Sequence, residues 1–203
     1  MDYSFSNSNT LKRIYFPENM TSMKYILTQA FMNDDALEKI ENLPNSIIYI
    51  GDSAFKYCSN LELNALPNDV TYLGSGAFHN CRKLKLEKLP HGITQLLNNT
   101  FYNCGGLNIS HFGHIKDAPI AEIDNALTHI GSEAFAIPIE TMTTPASVYL
   151  HNSLVFIGNG CFRDYGKREG FSVYDGTEII NETNVYDYFG VKDNLTFSEV
   201  DSH

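Results

Sequence analysis

Basic residues and tryptophan are scarce in this chain. Its 203 residues include no Trp, and Lys plus Arg number 14 against 24 Asp plus Glu, for a net charge of −10. An acidic surface repels phosphate backbones, so we expect no nucleic-acid partner. The aromatic residues are therefore all Phe and Tyr, and hydrophobic residues make up 43% of the chain, which is enough for a continuous core.

Segments that enter or cross membranes are also missing from the sequence. No apolar run approaches the roughly 20 residues that a membrane-spanning helix needs. The opening residues, MDYSFSNSNT, have neither the basic nor the apolar region of a signal peptide. We therefore expect no membrane insertion and favour a cytoplasmic or particle-associated protein. The cell surface is the alternative if the chain is a fragment.

Cysteine is limited to four residues, and three of them share one spacing. Cys58, Cys81 and Cys104 each follow a Phe by three positions, whereas Cys161 directly precedes Phe162. A disulfide framework or a metal site is one interpretation, but no CxxC or HxxxH spacing accompanies these residues. We favour buried, reduced thiols that pack as small hydrophobic groups, and we predict no metal.

Most of the chain repeats one phrase. IGDSAFKYCSNL and LGSGAFHNCRKL are two copies of it, and an anchoring Phe recurs at intervals of 24, 23 and 23 residues, at Phe31, Phe55, Phe78 and Phe101. Other columns keep the same phase: Ile or Leu five residues before the Phe, Leu six residues after it, and a proline that usually follows Leu. This period is typical of leucine-rich repeats.

Such a period predicts a solenoid, in which each coil is too small to bury its own apolar side and stacking buries one core. We predict that segments such as LELNAL and LKLEKL form short strands, which stack into a parallel sheet. LPND and LPHG turn the corner, because Pro fixes φ and lacks an amide donor. VTYLG is a second extended stretch, and Ala-Phe-x-x-Cys closes the coil with its Phe inside.

These columns carry a resemblance to a known family. LPNSIIYIGDSAFKYCSNL resembles the BspA-like class of leucine-rich repeats, over roughly Ser4 to Phe162. The resemblance implies a right-handed, mainly β solenoid that binds macromolecules and has no catalytic residues, and we expect about seven coils. Family members are similar to one another as surface adhesion and host-interaction modules, and related repeats occur in phage and other large assemblies.

Two insertions interrupt the repeat. The interval between anchoring residues grows to 34 from Phe101 to Phe135 and to 27 from Phe135 to Phe162. The columns recover afterwards, so we expect the extra residues, Ser110–Ala126 and Ile137–Asn152, to form loops at a similar corner of adjacent coils. Partner contact and neutral drift are both open explanations. The contact candidates on these loops are His111, Phe112, His114, Ile137, Ile139 and Met142.

The outward side chains of the predicted strands form a second candidate surface. They mix both charge signs with few apolar groups, which suits a hydrated contact between proteins. A solvated sheet face gives the same pattern, and we favour that explanation. These side chains are Arg13, Tyr15, Lys39, Glu41, Glu62, Asn64, Lys85, Glu87 and Asn108.

The N-terminal end of the repeat is incomplete. Phe5 lies almost at the start of the sequence, so only half of its coil is present. We therefore predict a separate partner contact at Met1–Leu11, with Phe5 as its apolar residue.

After Phe162 the repeat dissolves. FSVYDGTEII predicts a hairpin, because the Asp175-Gly176 pair favours a type I′ turn between two β-prone runs. Terminal coils need an element that shields the core, so we divide the chain into a solenoid at residues 1–162 and a C-terminal cap or tail at residues 163–203.

No set of residues converges on a catalytic site. His111 and His114 in HFGH lack a third ligand, and Cys104 shares the interior column, where a thiol packs. GGLNIS lacks the Lys and the helix of a phosphate-binding loop. We therefore predict that the protein is not an enzyme and takes no cofactor.

The leading hypothesis is a non-enzymatic protein-interaction or structural module, with protein as its partner. We favour a component of a larger assembly, such as a virion or a cellular particle, because of the half-coil at Met1 and the missing signal peptide. The alternative, which the family resemblance implies, is an adhesin ectodomain that binds host protein or glycan.

Overall fold

Short strands stacked from coil to coil make up the fold. The computed structural model describes residues 4–107, 111–112, 127–137, 147–150, 156–158, 160–161, 172–174 and 179–180, and at 111–112, 147–150, 172–174 and 179–180 it describes the backbone alone. These residues contain no helix. Their strands are β1 (Arg13–Tyr15), β2 (Tyr25–Ile26), β3 (Lys39–Glu41), β4 (Tyr49–Ile50), β5 (Tyr72–Leu73), β6 (Gln95–Leu96), β7 (His111–Phe112), β8 (His129–Ile130), β9 (Ser147–Leu150), β10 (Phe156–Ile157), β11 (Ser172–Tyr174) and β12 (Ile179–Ile180).

The strands pair with their equivalents in neighbouring coils. β1 pairs with β3, β4 lies between β2 and β5, and β8 lies between β6 and β10. A further sheet has the order β12-β11-β9-β7. All of these pairings are parallel except that of β11 with β12. The predicted parallel, mainly β repeat architecture is therefore confirmed.

The Leu-x-Leu segments are less regular than predicted. Leu61 and Leu84 are buried, as expected, but neither LELNAL nor LKLEKL forms a strand. Isolated backbone bonds link these segments to their neighbours, such as the bond from the Lys85 N–H to the Leu63 carbonyl at 3.1 Å. Isolated bonds do not make a continuous ladder. Within residues 4–107, regular pairing on this side is confined to β1 and β3, and the other paired strands lie in the second extended stretch.

One aromatic ring from each coil fills the interior. Phe31, Phe55, Phe78, Phe101 and Phe135 are 0–4% exposed. Neighbouring rings stack with centroids 5.2–5.6 Å apart and planes within 15° of parallel. Offset stacking of this kind adds to the free energy gained by burying each ring. The predicted interior position of the anchoring Phe is confirmed.

The turn around each Phe points backbone donors at the next coil. Around Phe55, Ser53 and Tyr57 have φ values of 55° and 65°. The N–H groups of these three residues donate to carbonyls of the following coil at 2.8–2.9 Å. Positive φ suits Gly and Asn best. This requirement accounts for the glycines and asparagines that recur two residues before and two residues after the Phe.

Glycine four residues before the Phe lets adjacent coils approach. The Gly74 N–H donates to the Ile50 carbonyl at 2.8 Å, and a Cβ at Gly74 would lie 2.3 Å from the Asp52 nitrogen. In the next coil Leu97 takes this place, and there β5 and β6 do not pair. We attribute the division between these two sheets to Leu97, since its side chain starts where a neighbouring backbone would lie.

Three cysteines line the interior beside the rings, as predicted. Cys58, Cys81 and Cys104 are free and 0% exposed. Each thiol donates to the carbonyl of the anchoring Phe one coil earlier, at 3.0 Å. Burial raises the pKa of all three thiols, so they remain protonated donors at neutral pH.

Asp34 takes the place of the thiol in the coil before Cys58. It follows Phe31 by three residues and is 0% exposed. Its Oδ1 accepts the Ser8 N–H at 2.6 Å, whereas its Oδ2 is buried without a hydrogen-bond partner among the described residues. Burial raises the pKa of Asp34 to about 6, against the opposing effect of the Ser8 N–H.

The insertions leave the stack in register. Leu96 pairs with Ile130 on either side of the first insertion, and Ile130 pairs with Ile157 on either side of the second. The Phe101 N–H donates to the Ala134 carbonyl at 2.8 Å, as in uninterrupted coils. The predicted recovery of the repeat columns is confirmed.

β11 and β12 form the predicted antiparallel hairpin, in which Tyr174 pairs with Ile179. The turn expected at Asp175-Gly176 lies outside the described residues. β11 also pairs in parallel with β9. That the hairpin caps the solenoid stays a prediction, because most of residues 163–203 lie outside the described residues.

Replacing Gly74 with Ala tests the close approach of the coils. The new Cβ would meet the Asp52 nitrogen at 2.3 Å, where backbone has to shift. We expect a loss of about 1–3 kcal/mol in the free energy of unfolding, measured by denaturant titration. Gly92→Ala is the control, because its nearest neighbour is the methyl of the exposed Thr71 side chain. Equal losses for the two variants would show that backbone approach is not what selects Gly74.

Replacing Asp34 with Asn tests the buried carboxyl. A folded-state pKa raised to about 6 from 3.8 means that protonation favours folding. The stabilising contribution is complete below the unfolded-state pKa near 4 and is lost as the pH rises through 6. We therefore expect Asp34→Asn to match the wild type in unfolding free energy at pH 4 and to exceed it at pH 7. A difference between the two proteins that does not change with pH would contradict this account.

Candidate binding surface

The predicted outer face is exposed, as expected. β1 and β3 bring Arg13 beside Lys39 and Tyr15 beside Glu41, and Tyr15 is 62% exposed. Further along, the Lys85 Nζ lies 3.6 Å from a Glu62 carboxylate oxygen. An exposed ion pair of this kind contributes little free energy. Asn64 and Glu87 are also exposed, Glu41 is half-buried, and Asn108 lies outside the described residues. Contact of these side chains with a partner stays a prediction.

The loop candidates have different outcomes. His111 and Phe112 form β7 and pair with β9. His114, Ile139 and Met142 lie outside the described residues. Ile137 was expected on a contact loop, but it is 1% exposed and belongs to the hydrophobic core. It follows Phe135 by two residues, so it still lies in the turn and is removed from the contact candidates.

Phe5 is the predicted apolar residue of the N-terminal contact. Its ring stacks on Phe31 with centroids 5.4 Å apart and planes 2° from parallel, yet 54% of the residue is exposed. Its N–H donates to the Ala30 carbonyl at 2.9 Å. The predicted place of Phe5 in the ring column is therefore confirmed, and its contact with a partner stays a prediction.

An exposed aromatic ladder lies on the sheet formed by β2, β4 and β5. Tyr25, Tyr49 and Tyr72 are paired in register, which places one ring over the next. The Tyr49 and Tyr72 rings stack with centroids 4.7 Å apart, and the Tyr25 and Tyr49 rings meet edge to face at 6.1 Å. Tyr25 is 56% exposed and Tyr72 37%. We call these three residues the tyrosine ladder.

The tyrosine ladder is fixed to the core by the residues that follow it. Ile26, Ile50 and Leu73 alternate with the tyrosines and are 0–2% exposed. Desolvation, and to a smaller extent the nearby Asp52 carboxylate, raise the pKa of Tyr72. Tyr72 is therefore a neutral side chain over the physiological pH range. The ladder presents three rings on a strand framework that cannot move independently of the core.

A shorter aromatic pair continues the pattern on the neighbouring sheet. His129 of β8 pairs with Phe156 of β10, with ring centroids 6.0 Å apart. Phe156 is 37% exposed. Gln95 of β6 occupies the same column and supplies no ring. The rings of this one column therefore form two groups, one on each sheet.

The tyrosine ladder was missed when the sequence was analysed, although its signal is present. Tyr25, Tyr49 and Tyr72 each lie six residues before an anchoring Phe and directly before the Ile or Leu column. A tyrosine beside a buried residue on a strand has to face outward. The outward residues predicted from the sequence all belong to the Leu-x-Leu segments, which do not include this column.

Metal sites and membrane-spanning helices were looked for in the described residues. Among them, no group of three or more His, Cys, Asp or Glu is arranged to hold a metal ion. Nor does the described part of the chain contain a helix with the length and apolarity needed to cross a bilayer.

Comparison with known proteins identifies the repeat. The chain matches a family model described as "BspA type Leucine rich repeat region (6 copies)", over residues 1–108 and 107–198. No curated protein matches the chain.

Two solved structures resemble the fold. A leucine-rich cell surface protein from Faecalibacterium prausnitzii A2-165 has a TM-score of 0.53 and 22% sequence identity, over 86% of this chain and 57% of that one. A leucine-rich repeat protein from Bacteroides ovatus ATCC 8483 has a TM-score of 0.43 and 19% identity, over 86% and 58%. The chain thus spans little more than half the length of either protein.

Proposed function

This chain belongs to the BspA-type leucine-rich-repeat family, and we propose that it is a non-enzymatic module that binds protein through the tyrosine ladder. Exposed tyrosines on a rigid sheet carry this proposal. Tyr supplies a large contact area with few rotatable bonds, and it is enriched among the residues that dominate binding free energy. Exposures of 56% at Tyr25 and 37% at Tyr72 leave much of the rings for a partner.

The charged outer face is a weaker candidate. Lys85 and Glu62 of this face already form an ion pair with each other, at 3.6 Å. A partner has to displace or desolvate such pairs, which limits the free energy gained. Neither described ion pair involves the tyrosine ladder, so a partner that binds there displaces no such pair.

Absence of catalysis is part of the proposal. The buried thiols have raised pKa values and are enclosed in the core, so they are poor nucleophiles. Among the described residues, no group of three or more His, Cys, Asp or Glu is placed to hold a catalytic metal ion. The family is one of interaction modules, which supports the same assignment.

We place the module at the cell surface. The family match and the surface protein from Faecalibacterium prausnitzii favour that location. Neither comparison supports a component of a virion or another particle, which was the form preferred from the sequence.

Photo-crosslinking locates the contact without a known partner. A photoreactive residue replaces Tyr72 in one variant and Glu87, on the charged outer face, in the other. Each variant is produced in its native cells and irradiated there. We expect discrete adducts with protein from position 72 and none from position 87. Adducts from position 87 alone, or from neither position, would contradict the proposal.

Once the adduct is identified, its affinity measures the ladder directly. We expect Tyr49→Ser to raise the Kd for that protein about thirtyfold, as for a central aromatic worth about 2 kcal/mol. Glu87→Ser should leave the Kd unchanged.

A further inference from the structure

A ladder of asparagine amides runs along the turn side of the solenoid. Asn7, Asn33, Asn80 and Asn103 each lie two residues after an anchoring Phe and have φ values of 54–63°. The Asn33 Nδ2 donates to the Asn7 Oδ1 at 2.8 Å, and the Asn103 Nδ2 donates to the Asn80 Oδ1. Amides stacked at successive coils can therefore pair from one coil to the next.

Tyr57 interrupts this amide ladder. It has a φ of 65°, a conformation that bulky side chains rarely adopt. Tyr57 offers no amide to the Oδ1 of Asn33, and on its other side the Asn80 Nδ2 lies 2.8 Å from the Nδ1 of His79 instead. Tyr57 therefore adopts an unfavourable backbone conformation, and its side chain makes no amide hydrogen bond with the neighbouring coils. Strain of this kind is concentrated at ligand-binding sites.

A groove opens where the amide ladder is broken. Its volume is about 430 Å³, within the size range of small-molecule sites. Tyr57 is the single aromatic residue that lines it, together with Asn33, Asn80, Asp35 and Arg82 among others. Neither Asp35 nor Arg82 forms an ion pair with any residue that the structure describes. Both charges are therefore available to a ligand.

The Tyr57 ring is held in place at this groove. The Lys56 Nζ lies 5.3 Å from its centroid, and the His79 ring meets it at 65° with centroids 5.5 Å apart. Even so, 43% of Tyr57 remains exposed. The groove therefore combines one positioned, partly open aromatic ring with amide, carboxylate and guanidinium groups.

We propose that this groove binds a neutral oligosaccharide. A sugar ring has an apolar C–H face that can pack on Tyr57, and its hydroxyls both donate and accept hydrogen bonds. The amides of Asn33 and Asn80 can donate and accept hydrogen bonds, Asp35 can accept them and Arg82 can donate them. The lining therefore offers both donors and acceptors to sugar hydroxyls. A polyanion would meet Asp35 in a chain of net charge −10. Peptide binding usually requires a free strand edge or a larger apolar surface than the single Tyr57 ring provides.

This site is separate from the tyrosine ladder, and the two proposals can fail independently. Tyr57→Asn is the informative variant, because it removes the ring and returns an amide to the interrupted ladder. We expect it to unfold at the same temperature as the wild type or higher. Any loss of binding then reflects the site and not the fold.

The binding experiment uses an array of neutral and acidic oligosaccharides, followed by calorimetric titration with the neutral oligosaccharide that gives the strongest signal. We expect the wild type to bind a neutral member and Tyr57→Asn to weaken that binding at least about tenfold. Lys88→Met, at an exposed position that does not line the groove, should bind as the wild type does. Arg82→Met, at an exposed position, provides a second loss-of-binding variant that leaves the turn intact. No binding to any neutral member, binding to acidic members alone, or equal binding by the wild type and Tyr57→Asn would overturn the proposal.

Discussion

The stack of phenylalanine rings is the interaction on which the rest of the molecule depends. With centroids 5.2–5.6 Å apart, the rings set the distance between coils. Backbone N–H groups on either side of the rings donate to carbonyls of the next coil across the same spacing. The thiol column follows from the same spacing, since Cys81 lies within 3.0 Å of the Phe55 carbonyl. A single repeated contact thus sets the geometry of every outer column.

Outer columns become ladders as a consequence of that spacing. The tyrosine ladder is one, with ring centroids 4.7 and 6.1 Å apart, and the asparagine amides are another. Neither ladder is part of the core, so core packing does not restrict the residue types in these columns and they can be suited to binding. Tyr49 follows the pattern of its column, whereas Tyr57 breaks the pattern of its own. The two proposed contacts arise in these two opposite ways.

The interior could be predicted from the sequence, because burial acts on residue type directly. Phe78 and Cys81 recur at the repeat period with their equivalents in other coils. Their constant spacing of three residues places the thiol column beside the ring column. Strand location could not be predicted as well, since LELNAL and VTYLG are both extended and apolar on one side. Only backbone hydrogen bonding distinguishes the two segments. That bonding depends on how closely adjacent coils approach, which Gly74 allows and Leu97 prevents. Ile137 was misplaced because the boundary between turn and insertion has no mark in the sequence.

Neither the tyrosine ladder nor the groove at Tyr57 could be predicted from the Leu-x-Leu segments. Tyr25 had a periodic signal that was not followed, and Tyr57 had none, since its significance lies in the φ value and the amides on either side. The claim that joins these features is that the ring stack determines the spacing of the coils. Equilibrium unfolding of Phe78→Ala tests it most directly, with Lys85→Ala on the exposed face as the comparison. The account predicts a loss of about 3–5 kcal/mol for Phe78→Ala and a change within about 0.5 kcal/mol for Lys85→Ala. Comparable losses for the two variants would contradict it.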